Sequence, residues 1–195
     1  MSGAPIGVLA LQGDFDAHAR AVRAVGGEPV EIRTPGQLAA VRGLILPGGE
    51  STTLLRLVET YGFREAICDF PNGGGLLCGT CAGLILLARE VTEPSQQSLG
   101  LLDVSVRRNA YGRQVDSFVE TGMLRWNGLA PEPAEMIFIR APRITRIGPE
   151  VEVVGELNGE ATFVRQDRVW GVTFHPELSE PSLIHRRFVE AAAQG

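Results

Sequence analysis

Gly75-Leu76-Leu77-Cys78-Gly79-Thr80-Cys81-Ala82-Gly83-Leu84-Ile85-Leu86-Leu87-Ala88 is the stretch that decides the fold of this chain. Its apolar start reads as a buried strand, its Gly-Thr-Cys-Ala-Gly centre as a tight turn, and residues 84–88 as a helix. A thiol at the apex of such a turn has two routes to activation, the positive end of the helix dipole and an adjacent base. The bracketing glycines have a mechanical reason, because bulky neighbours would collide in so sharp a bend. Outward from this point, residues 6–11, 29–32 and 43–46 are apolar runs of strand length. Between the first two, Phe15, Ala19, Val22 and Val25 fall at helical spacing, and Gly26-Gly27 ends that helix. A further helix is predicted over 51–61, carrying Leu54, Leu55, Leu57 and Val58. Alternating strands and helices imply a parallel sheet covered on both faces.

Beyond about residue 102 the pattern changes to shorter strands, predicted at 134–141, 151–157, 161–164 and 169–174. Asn158-Gly159 is a two-residue hairpin signal, and residues 181–193 read as a closing helix. The expected fold class is α/β: a mostly parallel central sheet flanked by helices, with an antiparallel extension, in one domain spanning 1–195.

Composition removes several function classes. With 44% hydrophobic and 21% charged residues, the chain has globular and not disordered composition. A net charge of -5 without a clustered basic run gives no reason to expect nucleic acid. No apolar stretch approaches a membrane span. The start, Met1-Ser2-Gly3-Ala4-Pro5, lacks a basic leader region, so a cytoplasmic location is expected. The 3 cysteines do not look like a disulfide framework. All 18 basic residues are arginine, so no side chain here can form a lysine imine.

Near the other end stands His175-Pro176-Glu177. If the chain stays extended there, as Pro176 favours, residues two apart point to the same side. Glu177 could then orient His175 while the other ring nitrogen faces Cys81, giving a Cys-His-Glu hydrolase. The Ala82 amide would face a developing oxyanion, with a second donor from Gly48-Gly49 after the third strand. Cys78-x-x-Cys81 could instead be a redox dithiol or half of a zinc site. The glycines bracket Cys81 alone, and Cys68, His18 and His185 are scattered without ligand spacing, so neither metal nor cofactor is expected. Cys68 reads as a small buried hydrophobe. His18 and His185 read as surface or helix-packing residues. A phosphate-binding loop is ruled out by the absence of lysine.

The Gly-x-Cys-x-Gly elbow with a late His-Pro-Glu resembles the class I (triad) glutamine amidotransferases, which hydrolyse glutamine through a cysteine thioester and pass ammonia to a synthase. Most of them carry Gln where this chain has Ile85. That departure counts against the anthranilate, carbamoyl-phosphate and GMP synthase branches and matches the family of glutaminase subunits of pyridoxal 5′-phosphate synthase. Four further blocks are similar to that family: residues 9–13 (LALQG), 46–52 (LPGGEST), 108–114 (RNAYGRQ) and 138–142 (FIRAP). Cys78 stands where the family leads one to expect a bulkier apolar residue, and could make the thiol pair oxidation-sensitive.

The resemblance implies a flavodoxin-like fold of the class I type, with Cys81 as nucleophile, His175 as general acid and base, and Glu177 as orienting carboxylate. It also implies oxyanion donors at Gly49 and Ala82. Gly49, Glu50, Ser51, Arg108, Ile139 and Arg140 would bind L-glutamine, the guanidinium groups suiting its carboxylate. Without the family, Arg108 and Arg140 would read as surface ion pairs. The implied partner is a barrel-shaped synthase subunit in a large hetero-oligomer. A different amidotransferase subunit, a stand-alone hydrolase and a non-catalytic regulator remain the alternatives.

Overall fold

The computed structural model describes residues 4–108, 117–126 and 128–194. In chain order the first half runs β1 (Pro5–Leu9), α1 (Phe15–Ala24), β2 (Glu28–Ile32), β3 (Gly43–Leu46), α2 (Ser51–Thr60), α3 (Phe63–Asp69), β4 (Leu76–Thr80), α4 (Ala82–Leu87) and β5 (Ala88–Thr92). The second half runs β6 (Leu102–Arg107), β7 (Ser117–Leu124), β8 (Glu132–Ile139), β9 (Arg143–Ile147), β10 (Glu152–Leu157), β11 (Glu160–Gln166), β12 (Val169–Val172) and α5 (Leu183–Ala193).

The main sheet has the order β2-β1-β3-β4-β12-β11-β10-β7-β8. Its first five strands pair in parallel, and the remaining four join antiparallel. β3, β4 and β12 are buried along their whole length, as near-continuous apolar strands must be when helices cover both faces. On one face Leu44, Leu46 and Leu77 pack with Leu54, Val58, Phe63, Ile67 and Leu84 of α2, α3 and α4. On the other, Ile6, Ile45, Leu76, Cys78 and Trp170 pack with Val22 of α1 and with Ile184, Phe188 and Val189 of α5. Each fully buried Leu, Ile or Phe stabilises the fold by about 1.5–3 kcal/mol.

The antiparallel extension begins at the predicted hairpin. Asn158 and Gly159 have φ of 52° and 82°, the left-handed pair that a two-residue turn between twisted strands requires. A separate sheet of β5, β6 and β9 had no counterpart in the sequence reading. The apolar run after Cys81 is helical only to Leu87, and the backbone turns extended at Ala88, where ψ is 149°. Leu84 to Leu87 are buried all round, so no periodicity marked where helix gave way to strand.

The chain leaves β1 first towards β2 and later returns on its other side as β3. Such a reversal opens a crevice beyond the carboxyl ends of the strands. The exits of β1, β3, β4 and β12 carry Gln12 to Asp14, Pro47 to Glu50, Cys81 and His175 respectively.

Candidate active site

Cys81 occupies the residue between β4 and α4 with φ 50° and ψ -103°, a region side chains rarely adopt. Its amide donates to the Val172 carbonyl of β12 at 2.8 Å, which locks the bend to the sheet. The flanking glycines are needed for space. A Cβ on Gly79 would lie 2.5 Å from the Gly83 backbone, and one on Gly83 would overlap the Leu46 carbonyl of β3. The thiol is nearly buried and points to the Ile139 carbonyl at 4.0 Å, the limit of a sulfur contact.

His175 follows β12, and its amide donates to Ile137 of β8 at 2.8 Å. The same-side argument for His175 and Glu177 supposes that the chain stays extended there. Instead His175 has φ -105° and ψ 84°, and Pro176–Leu178 forms a single 3-10 turn. Pro176 keeps His175 out of the helical region, as foreseen, yet suits the first position of a short helix. The two side chains still meet, with Nδ1 of His175 2.7 Å from Oε1 of Glu177. Nε2 of His175 is buried and has no hydrogen-bond partner among the described residues. A Cβ on Gly48 would lie 2.6 Å from His175 Cε1 and 3.5 Å from Cys81 Cβ, so the glycine loop after β3 borders both. Burial alone would lower the His175 pKa; the flanking Cys81 and Glu177 outweigh it and raise the value to about 10.

These groups open onto a cleft of about 170 Å³, lined by Asp14, Gly49, Glu50, Ser51, Cys81, Ile85, Arg108, Ile139, Arg140 and His175. Every predicted glutamine-binding residue is therefore gathered with the thiol, although they lie on three separate segments. Ala82, the second expected oxyanion donor, is buried at the start of α4. Glu50 caps α2 by accepting from the amides of Thr52 and Thr53 at 3.2 and 2.7 Å. Its partial burial would raise the carboxyl pKa, but these bonds and the two threonine hydroxyls hold it down to about 2. Arg108 reaches Glu50 at 3.4 Å. It thus makes the ion pair expected of a surface arginine while also lining the cleft. Ser51 donates to Gln96 Oε1 at 2.9 Å. Ile139 ends β8 and Arg140 follows it with φ 44°, both lining the cleft. Residues 109–114 of the similar block 108–114 lie outside the described residues.

Sequence reasoning missed Asp14; of its two readings for His18 and His185, surface or helix packing, the structure bears out helix packing, with the two rings at 0% and 2% exposure on α1 and α5. His18 lies 3.3 Å from Glu177 Oε2. A signal was present: His18 stands four and seven residues before Val22 and Val25, on the apolar stripe of α1. His185 bears the same relation to Val189 and Ala192 on α5. Among the described residues, Asp14, His175 and Glu177 form the one cluster with metal-ligand spacing, and two of its members already bond each other. Cys78 is a free thiol packed on the α1 and α5 face. Burial first, and then the Glu177 carboxylate, push it well above the ordinary thiol range. Cys68 is half-buried, and burial raises its thiol as well.

Residues 8–194 match the SNO glutamine amidotransferase family. The chain is 47% identical to the pyridoxal 5′-phosphate synthase subunit PdxT of Desulforudis audaxviator, over 95% of its own length and 97% of the relative's. It is 49% identical to the subunit of that name from Deinococcus radiodurans, over 97% of each. A solved glutamine amidotransferase superposes with a TM-score of 0.89 at 43% identity, covering 96% of this chain and 98% of that one. PurLQS from Thermotoga maritima superposes with a TM-score of 0.71, covering 98% and 96%; at 20% identity this bears on the fold alone. A chain with this elbow, this cleft and these relatives belongs to the SNO glutamine amidotransferase family.

Proposed function

We propose that this chain, acting as one domain in the cytoplasm, hydrolyses L-glutamine to L-glutamate and ammonia for a pyridoxal 5′-phosphate synthase. The observation that carries the reading is Cys81 at a left-handed elbow, bordering the same glycine as an imidazole that Glu177 holds at 2.7 Å.

In the proposed cycle His175 starts protonated, as its raised pKa favours, and stabilises the adjacent sulfur as thiolate. Sγ attacks the side-chain amide carbon of glutamine, and the amides of Gly49 and Ala82 hold the oxyanion. His175 gives its proton to the departing nitrogen, and as the tetrahedral adduct collapses its C–N bond breaks, releasing ammonia and leaving a thioester on Cys81. The neutral imidazole then takes a proton from water, hydroxide adds to the thioester, and glutamate leaves as the thiolate–imidazolium pair re-forms. Glu177 keeps Nδ1 protonated and so aims Nε2 at the sulfur. Arg108 and Arg140 receive the substrate carboxylate, while Glu50, Ser51, Ile139 and Asp14 line its other sides.

Ammonia released into water at neutral pH is protonated and lost to the chemistry. The chain contains no lysine, so it cannot itself form the imines of cofactor assembly through that residue. Both facts favour a separate barrel-shaped synthase subunit, docked in a hetero-oligomer, as the receiver. Replacing Cys81→Ala in the complex is expected to abolish glutamine hydrolysis and leave synthesis from ammonium salts intact. A variant complex that still turned over glutamine would show that Cys81 is not the nucleophile. A non-catalytic regulator would instead leave Cys81 unlabelled by a glutamine-analogue electrophile, even with the synthase bound.

A further inference from the structure

Glu177 is buried, and both of its carboxylate oxygens must be satisfied there. Oε1 faces Nδ1 of His175. Oε2 has no well-aligned hydrogen bond among the described residues, and its neighbour is Nε2 of His18 at 3.3 Å, with both side chains fully shielded. The same nitrogen lies 3.1 Å from Thr80 Oγ1. Behind it, Nδ1 of His18 is 2.8 Å from Nε2 of His185, and Nδ1 of His185 is 2.5 Å from Ser182 Oγ. A continuous polar chain therefore runs from the N-cap of α5, through α5 and α1, to the carboxylate beside His175.

Its direction follows from the donor inventory. An ionised carboxylate only accepts, so the nitrogen facing Oε2 carries the proton. Neutral His18 then accepts at Nδ1, which obliges His185 to donate from Nε2. His185 in turn accepts at Nδ1 from the Ser182 hydroxyl, whose oxygen still receives the His185 amide at 3.4 Å. The reversed order would set a ring lone pair against a carboxylate oxygen inside the protein, which is costly. Burial, followed by the neighbouring His185 and His175, holds His18 well below the ordinary histidine range. Burial alone takes His185 down to about 3. Both rings are thus neutral, as the chain of donors requires.

Resting on the glutaminase reading, we propose that His18 is a positioning residue. Seated by His185 and Ser182, its Nε2–H fixes the second oxygen of Glu177 and, through Glu177, the plane of the His175 imidazole. The need arises because Glu177 sits on a turn of only 3 residues, Pro176–Leu178, which ends on a Leu178 that is 42% exposed. His18 brings the packed weight of α1 and α5 to bear on that turn. It does not line the glutamine cleft, so its effect falls on turnover and not on binding.

Nitrogen-15 NMR of the full-length wild-type chain reads the ring tautomers directly. The expected result at neutral pH is Nε2–H for both His18 and His185; an Nδ1–H tautomer at His18 would overturn the proposal, whatever the enzyme hydrolyses. Steady-state glutaminase kinetics in the synthase complex give the second test. His18→Leu should lower kcat by about tenfold or more while KM for glutamine stays within about twofold, because a hydrogen bond to a buried charge is lost. His18→Gln, whose amide can both donate to Glu177 and accept from His185, should restore most of kcat. Unchanged kcat in His18→Leu, a loss carried by KM, or no recovery in His18→Gln would each sink the idea. Should His18→Leu fail to fold, the wild-type tautomers decide. Failure of the wild-type complex to hydrolyse glutamine would count against the glutaminase reading instead, a different failure that leaves the tautomer result standing.

Discussion

His175 is pulled in opposite directions by its surroundings. Burial favours the neutral ring, while Cys81 on one side and Glu177 on the other favour the cation and prevail, raising its pKa to about 10. The ring Cε1 proton should therefore titrate near that value in the wild-type chain and markedly lower in Cys81→Ala, as NMR can follow. The stability consequence has a definite sign. A histidine whose folded pKa exceeds its unfolded value stabilises the fold fully below about 6.5, and that contribution is lost as pH rises through about 10. Denaturant melts at neutral and at strongly alkaline pH should show a larger loss for the wild type than for Cys81→Ala. At this scale Cys81 and the pairing of His175 with Glu177 were legible, because residue type and a two-residue spacing carry them. The polar roles of His18 and His185 were not, since a neutral buried imidazole follows the same helical stripe as valine.

Glu50 shows how one element serves both architecture and site. Glutamate is not a favoured N-cap, yet here it accepts from two amides and two hydroxyls at the start of α2. Glu50→Ala should cost about 1 kcal/mol of unfolding free energy, the usual worth of a lost cap. The carboxylate is half-exposed, so screening keeps its charge contribution small. Chemical denaturation of the two forms measures this, and a raised KM for glutamine should accompany it. Strand edges and turns were read well where chemistry punctuates them: 43–46 matched β3, and Asn158-Gly159 joined β10 to β11. The 7-residue α3 is too brief to show a helical period, and β5 escaped notice because it follows α4 with no breaker between them and carries the exposed Arg89 and Glu90.

Across the whole molecule, α1 and α5 bury two neutral histidines behind the site, and that arrangement makes the protein acid-sensitive. Both rings have folded pKa values below the unfolded 6.5, so the unfolded chain binds more protons as pH falls beneath it. Each ring should add a slope of about 1.4 kcal/mol per pH unit below that point, down to its own folded value. His175 adds none there, being protonated in both states. Urea titrations between neutral pH and pH 4 should show this fall, and His18→Gln should remove about half of the histidine part of the slope.

The sequence by itself determined the α/β class, the elbow around Cys81, the His-Pro-Glu partner and the family, because periodicity, turn chemistry and short motifs reside in neighbouring residues. Only the tertiary structure decided that the exits of β1, β3, β4 and β12 meet in one cleft. It alone also placed His18 against Thr80 and His185, partners 62 and 167 residues away. Those contacts are set by the strand order β2-β1-β3-β4-β12 and by which helices share a face of the sheet. Such choices emerge from packing the whole chain, and no local spacing records them.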